Sequence, residues 1–425
     1  MNETARTSTS RQPSAAPAVS GTFTAMRSPN FRLYFAGQLI SSTGTWMQNI
    51  AQAYLVYQIT QNPLWVGVVA CAGGAPYLLM SPVSGVIVER FPRRWIMVVT
   101  ATIQMLLAFI LTALVALHTV QIWHIVLLAF LLGITTAIDM PSRQAFIVEM
   151  VGRPDMQSGI QLNSILNSST RLLGPALAGA ALIAWGAAWC FFLNGLTFLA
   201  VIASLVIMDV PFAIRGQRGA PPLSQLREGL SYARGHQLVA PLLLLTGCTG
   251  LFTLSINQLW APFAAQALHS PEVGYTLVAV GNGLGAVLAG LVIGWLVSRW
   301  GYGRILLGTL LVNTTVNTLF ALQRQVAPAG VLSALAGLAT VSHVVCLNTS
   351  LQYIVPDAFR GRVLSLYTLA FFGLVPFGAL ALGALGERIG TADALLVSAI
   401  LGGVLAGLTL LRWPHVTRID LVTAA

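Results

Sequence analysis

The sequence predicts an all-α, polytopic membrane protein whose twelve transmembrane helices form two six-helix bundles. Three observations support this fold class. The chain of 425 residues is 56% hydrophobic and only 8% charged. Apolar stretches of about 20 residues, the length that crosses ~30 Å of hydrocarbon as a helix, recur along it. Nearly all arginines lie on alternate connections between these stretches, as expected for a chain that crosses a membrane repeatedly.

The low charge argues against a soluble protein of this length. Soluble domains carry roughly 25% charged residues, because water must solvate their surfaces, whereas the mean hydropathy of this chain is +0.79. The net charge of +10 raises the question of nucleic-acid binding. The basic residues lie singly between apolar runs instead of forming one basic face, so no nucleic-acid partner is expected. The lipid bilayer is the expected solvent.

The sequence predicts no metal, no cofactor and no enzymatic activity. The four cysteines lie inside apolar stretches without the spacing of metal ligands, and we expect free thiols at Cys71, Cys190, Cys248 and Cys346. No Walker loop and no nucleophile–base arrangement is present.

Twelve apolar spans follow a polar N-terminal segment. Residues 1–26 are rich in Ser, Thr, Ala and Pro and lack the apolar core of a signal peptide, so they are predicted to be a disordered cytoplasmic tail. The predicted spans, numbered one to twelve, are 31–58, 64–88, 95–117, 122–142, 159–184, 188–209, 241–265, 272–297, 304–322, 329–351, 363–386 and 392–412.

A polar segment divides the spans into two groups of six. Residues 210–240 contain three prolines followed by a predicted surface helix at 223–234, and we assign them to a cytoplasmic linker. The N-terminal six-helix bundle is then 27–209 and the C-terminal six-helix bundle is 241–412. Residues 413–425 form a predicted cytoplasmic C-terminal tail.

The arginines orient the chain with both termini in the cytoplasm, because basic loops stay on that side. In this topology the cytoplasmic segments hold 19 of the 22 arginines. Arg324 and Arg388 fall outside, and Arg171 lies within span five. The inverted topology would place the 19 arginines outside, so the charge pattern selects the first.

The two halves repeat short sequences at equivalent loops. The segment from Gly85 to Pro92 aligns with the segment from Gly294 to Gly301 at an offset of 209, between the second and third span of each half. Pro154-Asp155 aligns with Pro356-Asp357 at an offset of 202, between the fourth and fifth span. Parallel repeats of this kind are one architecture of membrane transporters.

Several motifs resemble the major facilitator superfamily. Gly85-x-x-x-Glu89-Arg90-x-Pro92-Arg93-Arg94 is similar to its signature loop between helices two and three, with Glu89 where Asp is usual and Pro92 where Gly is usual. Other stretches resemble a bacterial branch that contains the enterobactin exporter and drug and macrolide efflux proteins. They are Asn30-Phe31-Arg32-Leu33-Tyr34-Phe35, Gly44-Thr45-Trp46-Met47, Asp139-Met140-Pro141-Ser142-Arg143-Gln144 and Pro356-Asp357 with Arg360-Gly361-Arg362.

The resemblance implies a secondary active transporter with the major facilitator fold. It implies a proton-motive-force-driven exporter of small amphipathic molecules, such as drugs, macrolides or siderophores, that works by rocker-switch alternating access. It also implies a monomer in a bacterial inner (cytoplasmic) membrane, with a small-molecule substrate and protons as partners. Two alternatives stay open: an importer of a lysolipid or nutrient on the same fold, and a transport-inactive membrane sensor or assembly partner.

In this fold, helices one, four, seven and ten line a central cavity. Span one carries amides and hydroxyls every three or four residues, which places them along one side of a helix. The candidate cavity residues on spans one, seven and ten are Gln38, Ser42, Thr45, Gln48, Asn49, Gln52, Thr249, Thr253, Asn257 and His343. The alternative is that such groups only bond neighbouring helices, typically for ~0.6 kcal/mol in membranes.

Arg171 lies some 12 residues into span five and therefore near the middle of the bilayer. A central arginine costs about 2.5–3.5 kcal/mol to insert, so it should face protein or water. Asn163 and Asn167 precede it at four-residue intervals and share its helix face. We predict that these three residues belong to the cavity and that Arg171 holds an anionic or acceptor-rich substrate group. A structural arginine bound to neighbouring carbonyls or amides is the alternative.

The acidic residues bear on proton coupling. Proton-coupled carriers usually carry a protonatable side chain within the membrane, and the candidates here are Asp139 and His343. His343 is equally compatible with a hydrogen-bonded packing role.

Two further motifs follow from the resemblance. The loop residues Gly85, Glu89, Arg90, Arg93 and Arg94 are predicted to form a gate with Arg360 and Arg362 at the start of helix eleven, where a carboxylate gains ~0.3–1 kcal/mol from the helix dipole. Plain anchoring by basic loops is the alternative. Gly174, Pro175 and Gly179 are similar to the helix-five motif of exporters, in which small residues allow close helix approach and proline permits a kink.

Overall fold

The computed structural model describes residues 23–208 and 222–419, and these residues are almost entirely helical. Twelve long helical segments occur in them. They are α1 (Pro29–Thr60), α2 (Pro63–Arg90), α3 (Arg93–Ala116), α4 and α5 (the two parts of Ile122–Trp185, 122–151 and 153–185), α6 (Ala187–Ile207), α7 (Val239–Gln266), α8 and α9 (the two parts of Val273–Ala321, 273–300 and 302–321), α10 (Val326–Ile354), α11 (Asp357–Ile389) and α12 (Thr391–Arg412).

Glycines with positive φ separate consecutive helices. Gly152 (φ 73°) lies between α4 and α5, and Gly301 (φ 73°) lies between α8 and α9. Gly186 (φ 85°) and Gly390 (φ 89°) begin α6 and α12 in the same way. A residue with a Cβ is strained in this region, so glycine lets the chain turn within one residue. Gly186 and Gly390 are 204 positions apart, which is similar to the offsets of 202 and 209 residues between the repeated loops, so they occupy equivalent positions in the two halves.

The connection from α1 to α2 shows how local sequence sets a helix boundary. Gln61 adopts a left-handed conformation (φ 51°) and ends α1. Asn62 then caps α2, because its Oδ1 accepts a hydrogen bond from the Leu64 N–H at 2.8 Å. Pro63 occupies the first helical position, where its missing N–H costs nothing. Three adjacent residues thus stop one helix and start the next.

Nine segments of the described chain are long and apolar enough to cross a membrane, with Val273–Ala321 counted as one. α1 and α5 are absent from this set because they carry the polar stripe and Arg171, respectively. The predicted all-α, polytopic fold is confirmed. The predicted count of twelve spans equals the number of long helical segments. α1 and α5 are too polar to be identified as membrane spans by length and hydropathy, so these two properties alone do not establish the count.

The ends of the chain pack more closely than the sequence predicts. Residues 1–22, 209–221 and 420–425, which cover most of the predicted tails and part of the linker, lie outside the described residues. Residues 23–26, assigned to the N-terminal tail, instead belong to a folded turn (Thr24–Arg27). Ala25 is buried there, and its N–H donates to Ser158 Oγ at 3.0 Å. The predicted surface helix is present as Pro222–Gly235 and is called the linker helix below.

The distribution of the buried core defines two different ends of the molecule. The arginine-rich face is the end at which α2 meets α3, beside Arg90 and Arg93, and at which α8 meets α9. The opposite face is the end at which α1 meets α2 and α7 leads into α8. One buried cluster at the opposite face joins both halves, for example Leu55 with Leu259. At the arginine-rich face each half has its own cluster.

Candidate functional site

Close helix contacts seal the two halves together at the opposite face. α2 and α11 approach at glycines, so that a Cβ added to Gly67 would lie 2.5 Å from the carbonyl oxygen of Ala379. A Cβ on Gly74 would lie 2.2 Å from Cγ of Pro376. α5 and α8 approach in the same way, because a Cβ on Gly179 would lie 2.1 Å from Cγ2 of Thr276. We call this set of contacts the inter-half seal.

Two hydrogen bonds to carboxylates reinforce the inter-half seal. The Tyr54 hydroxyl on α1 donates to Glu272 Oε1, just before α8, at 2.5 Å. The Asn62 side-chain amide donates to Glu387 Oε1 on α11 at 2.6 Å. Each bond joins the N-terminal half to the C-terminal half. Charge-assisted hydrogen bonds of this kind are stronger than neutral ones.

The helices separate toward the arginine-rich face. On α5 and α8 the seal ends where a Cβ on Gly283 would lie 2.9 Å from the carbonyl oxygen of Arg171. Farther along α8, a Cβ on Gly290 or Gly294 would have no heavy atom of the described residues within 4 Å. The same holds for Gly85 on α2 and Gly361 on α11. The pathway between the halves is therefore closed at the opposite face and open at the arginine-rich face.

The polar stripe of α1 divides into two sets. Gln48 is buried and accepts a hydrogen bond from the Asn194 amide of α6 at 2.7 Å. Gln38 is also buried and donates to Ser42 Oγ at 2.8 Å. Thr45, Asn49 and Gln52 are half-buried or exposed. The first set takes part in packing or local bonding, whereas the second set stays accessible; cavity lining by the whole stripe is a prediction.

Arg171 contacts α1 and has no carboxylate partner among the described residues. Its guanidinium carbon lies 5.3 Å from the centre of the Trp46 ring, within the range of a cation–π interaction. Asn163 and Asn167, on the same face of α5, are half-buried and exposed. A Cβ added to Gly174 would lie 2.3 Å from Cβ of Trp46, so the helix-five glycine permits this close approach of α1. The adjacent Pro175 is buried.

The candidate residues of α7 lie elsewhere than expected. Residues Thr249–Leu254 form a π-helical turn, a feature that is often found at functional positions. Thr249 and Thr253 face a small cavity of about 20 Å³ between α7, α9 and α12, together with Asn313 and Asn317. The Thr249 hydroxyl also donates to the carbonyl of Leu245 at 2.8 Å. Both threonines therefore face the interior of the C-terminal half in this structure.

The last α7 candidate, Asn257, begins a short 3₁₀ turn near the opposite face and is half-buried. This turn packs against α2 and α11. Asn257 thus lies beside the inter-half seal, beyond the closed end of the pathway.

Asp139 and His343 occupy equivalent places in the two halves. Asp139 on α4 accepts a hydrogen bond from Thr100 on α3 at 3.0 Å, and His343 on α10 is bonded to Thr309 on α9 at 2.9 Å. The threonines are 209 positions apart, the offset of the repeated loops. Asp139 also forms an ion pair with Arg143. His343 is buried between α9 and α10, which is a packing position.

The predicted gate residues pair within their own halves in this structure. Arg93 forms an ion pair with Glu149, and Arg94 donates to the Val206 carbonyl at 2.7 Å. Glu89 and Arg90 are exposed.

On the other side of the opening, Arg360 pairs with Asp357 at 2.5 Å, and Arg362 pairs with Glu228 of the linker helix at 2.9 Å. The described residues contain no ion pair between Glu89 and these arginines. A latch across the halves stays a prediction for the opposite conformation.

Sequence reasoning missed the groups that hold the halves together and the partners of the buried ionisable groups. Thr100 and Thr309 could have been found from their offset of 209. Glu272 and Glu387 gave a weaker signal, a carboxylate at the end of an apolar span in each case. The described residues contain no cluster of three or more His, Cys, Asp or Glu that could hold a metal ion.

The chain is similar to bacterial transporters along most of its length. It is 25% identical to the MFS-type transporter YfiS of Bacillus subtilis over 61% of the chain and 62% of that protein. It is 25% identical to the enterobactin exporter EntS of Escherichia coli over 91% of the chain and 93% of EntS. It is 23% identical to the multidrug efflux pump Tap of Mycolicibacterium fortuitum over 93% of the chain and 98% of Tap. The match to YfiS thus spans less than two thirds of that protein.

Solved structures of other transporters share the fold. The nucleoside transporter NupG superposes with a TM-score of 0.72 at 12% identity, over 90% of this chain and 99% of NupG. Residues 20–424 match the transmembrane secretion effector family, MFS_3. Together with the helical architecture, these matches identify the chain as a member of the transmembrane secretion effector family of major facilitator superfamily transporters.

Proposed function

We propose that the chain is a proton-motive-force-driven exporter of small amphipathic molecules, working by alternating access between its two six-helix halves. One observation carries this proposal. The halves touch from the opposite face as far as Gly283 and Arg171, and they are apart from there to the arginine-rich face. A pathway that is open at one end and sealed at the other is what one state of an alternating-access carrier requires.

The arginine distribution supports the orientation of this pathway. Because basic loops stay cytoplasmic, the arginine-rich face would lie in the cytoplasm, and the opening would admit molecules from there. The inter-half seal would then close the outer side of a bacterial inner membrane. In this orientation the structure corresponds to the inward-open state of the proposed exporter.

Export requires the inter-half seal to open and the arginine-rich face to close. The bonds from Tyr54 to Glu272 and from Asn62 to Glu387 would break in that step. Glu89 would then approach Arg360 and Arg362, which now pair within their own half. Exchange of one set of polar contacts for another keeps the two states close in energy, as a rocking carrier needs.

Asp139 is the stronger of the two proton-coupling candidates. Its carboxylate is buried, yet it is paired with Arg143, whose side chain is 29% exposed. Protonation of Asp139 would weaken that pair and free Arg143, so a proton could alter the local packing of α3 and α4. The neutral contact between His343 and Thr309 offers no comparable change of charge pairing.

Replacing His343 by Gln is expected to leave the pH profile of transport unchanged. An amide can keep a hydrogen bond to Thr309, and interhelical hydrogen bonds in membranes contribute only ~0.6 kcal/mol on average. Transport by the purified variant in vesicles at several pH values is the measurement. A displaced pH optimum at normal expression would indicate that His343 takes part in proton coupling.

The relatives support export more than import. One is an enterobactin exporter and another a multidrug efflux pump, so siderophores, drugs and macrolides are reasonable classes to screen. An importer with the same fold would carry its substrate in the opposite direction, and a membrane sensor would transport no substrate.

The decisive experiment is accumulation of a broad compound panel in an efflux-deficient bacterium that expresses the chain. We expect lower accumulation of at least one compound, and loss of that difference when a protonophore collapses the proton gradient. A difference that survives the protonophore would exclude proton-driven export. Higher accumulation would indicate import, and equal accumulation across the panel at good expression would count against export of these classes.

A further inference from the structure

We propose that the pathway selects organic anions, namely molecules with a carboxylate or similar acidic group on a flat apolar body, and that Arg171 and Trp46 make this selection. The inference rests on the proposed function, because it names the substrate class of the same pathway. Four observations support it: the position of Arg171, its lack of a carboxylate partner among the described residues, the residues next to it, and the absence of acidic residues on the surrounding helices α1, α7, α8 and α10.

Arg171 lies at the closed end of the open pathway. Its carbonyl lies against α8 at Gly283, where an added Cβ would come within 2.9 Å of the carbonyl oxygen. Beyond it, a Cβ added to Gly290 or Gly294 on α8 would meet no described residue within 4 Å. Side chains on a helix lean toward its N-terminus, and α5 begins at the arginine-rich face. The guanidinium therefore leans toward the opening.

Arg171 forms no ion pair with an acidic side chain in the described part of the chain. The ion pairs among the described residues use Arg93, Arg143, Arg360 and Arg362. The Arg171 guanidinium carbon lies over the Trp46 ring, 5.3 Å from its centre. Stacking uses the face of a guanidinium and leaves the N–H groups at its edge free to donate. A carboxylate can accept two of these donors at once.

The groups next to Arg171 fit the rest of such a molecule. Trp46 presents a flat apolar surface, and the missing Cβ of Gly174 lets it lie close against α5. Asn163 and Asn167 follow toward the opening on the same helix face, where their amides can donate or accept hydrogen bonds. A charged group, a ring and two amides thus line one approach to the closed end.

Helices α1, α7, α8 and α10 offer no carboxylate to a cationic substrate. α1, α7, α8 and α10 contain no Asp or Glu. Asp139, the nearest acidic residue on α4, is already paired with Arg143. A cationic substrate would meet the positive charge of Arg171 without a compensating carboxylate, which is costly away from water.

The test measures binding of a matched pair of probes to the purified full chain in lipid nanodiscs. Naphthalene-2-carboxylate and naphthalene-2-carboxamide have almost the same shape and differ in charge. By calorimetry, the wild type should bind the carboxylate about tenfold or more tightly than the amide, as expected when charge-assisted hydrogen bonds replace neutral ones. This preference should disappear in Arg171→Gln and be partly retained in Arg171→Lys, which keeps the charge but not the fork of donors.

Arg324→Gln is the matched control, because Arg324 lies at the opposite face and, among the described residues, donates to the carbonyls of Ala321 and Gln323 at and just after the end of α9. It should keep the wild-type preference. Equal binding of both probes by the wild type, no binding of the carboxylate at millimolar concentration, or an unchanged preference in folded Arg171→Gln would each overturn the proposal. If Arg171→Gln does not fold, a reduced preference in Arg171→Lys supports the proposal, and full retention opposes it.

Failure of this inference is distinguishable from failure of the proposed function. Protonophore-sensitive export of neutral or cationic compounds, without carboxylate binding, would refute anion selection and leave export intact. Carboxylate binding that depends on Arg171, without export of any compound, would support the site and refute export.

Discussion

Replacing Gly67 by Val is expected to abolish most transport by keeping the inter-half seal from closing. The added Cβ would lie 2.5 Å from the Ala379 carbonyl oxygen and 3.0 Å from the Leu380 Cα, both of them backbone atoms of α11. Because backbone cannot move aside as a flexible side chain can, α2 and α11 must separate. Overpacking of this kind costs about 1–3 kcal/mol, and every 1.4 kcal/mol is a factor of about ten in a population.

The expected shift is measurable as a distance between the halves. Spin labels at Gln58 on α1 and His269 before α8, both exposed at the opposite face, report the distance between the halves at that face by pulsed electron resonance in a background without the natural cysteines. We expect the longer distance to dominate in Gly67→Val, together with transport reduced about tenfold or more.

Gly308→Val provides the control for this substitution. Gly308 lies within α9, is exposed, and has no atom within 4 Å of an added Cβ. The control should show wild-type distances and transport. Normal transport by Gly67→Val, with an unchanged distance, would show that the approach of α2 to α11 does not close the pathway.

The fold was predictable because each membrane span is a long apolar segment that is easily recognised in the sequence. Hydropathy locates the segment that crosses the membrane, but it does not locate the end of the helix. Span four was predicted to end at residue 142, where Arg143 and Gln144 follow, but the helix continues to Gly152. Polar residues can extend a helix beyond the hydrocarbon, where water satisfies their side chains, so only the positive φ of Gly152 marks its true end.

The site was less predictable, because a polar residue does not reveal which neighbour it faces. Gln48 and Asn49 are adjacent in the stripe of α1, yet Gln48 bonds to Asn194 of α6 and Asn49 is exposed. Consecutive residues on a helix differ by about 100° in direction, which is enough to exchange a buried contact for an exposed position. Thr249 and Thr253 line a cavity inside the C-terminal half for a related reason, since a π-helical turn rotates the residues around it relative to a regular helix.

Replacing Asp139 by Asn is expected to lower thermal stability and uncouple transport from the proton gradient. Asn can still accept a hydrogen bond from Thr100, but it cannot neutralise Arg143. Removing one partner of a fully buried ion pair costs about 3–5 kcal/mol, because the other charge stays behind without compensation. Arg143 is partly exposed, so water compensates part of its charge and the expected loss of stability is smaller. Thermal unfolding in nanodiscs and proton-driven transport in vesicles measure the two effects. Asp393→Asn, at an exposed position on α12, is the matched control and should change neither.

A double variant separates a structural role of the pair from a coupling role. Asp139→Asn with Arg143→Gln removes both charges, and replacing a whole buried pair by neutral groups is often close to neutral for stability. If Asp139 carries the coupling proton, the double variant should regain stability but not proton-driven transport, because no group at this place can then change its charge. Recovery of both properties would show that the Asp139–Arg143 pair has a structural role only. Glu272 and Glu387, the carboxylates that bridge the two halves, would then be the next candidates for the coupling residue.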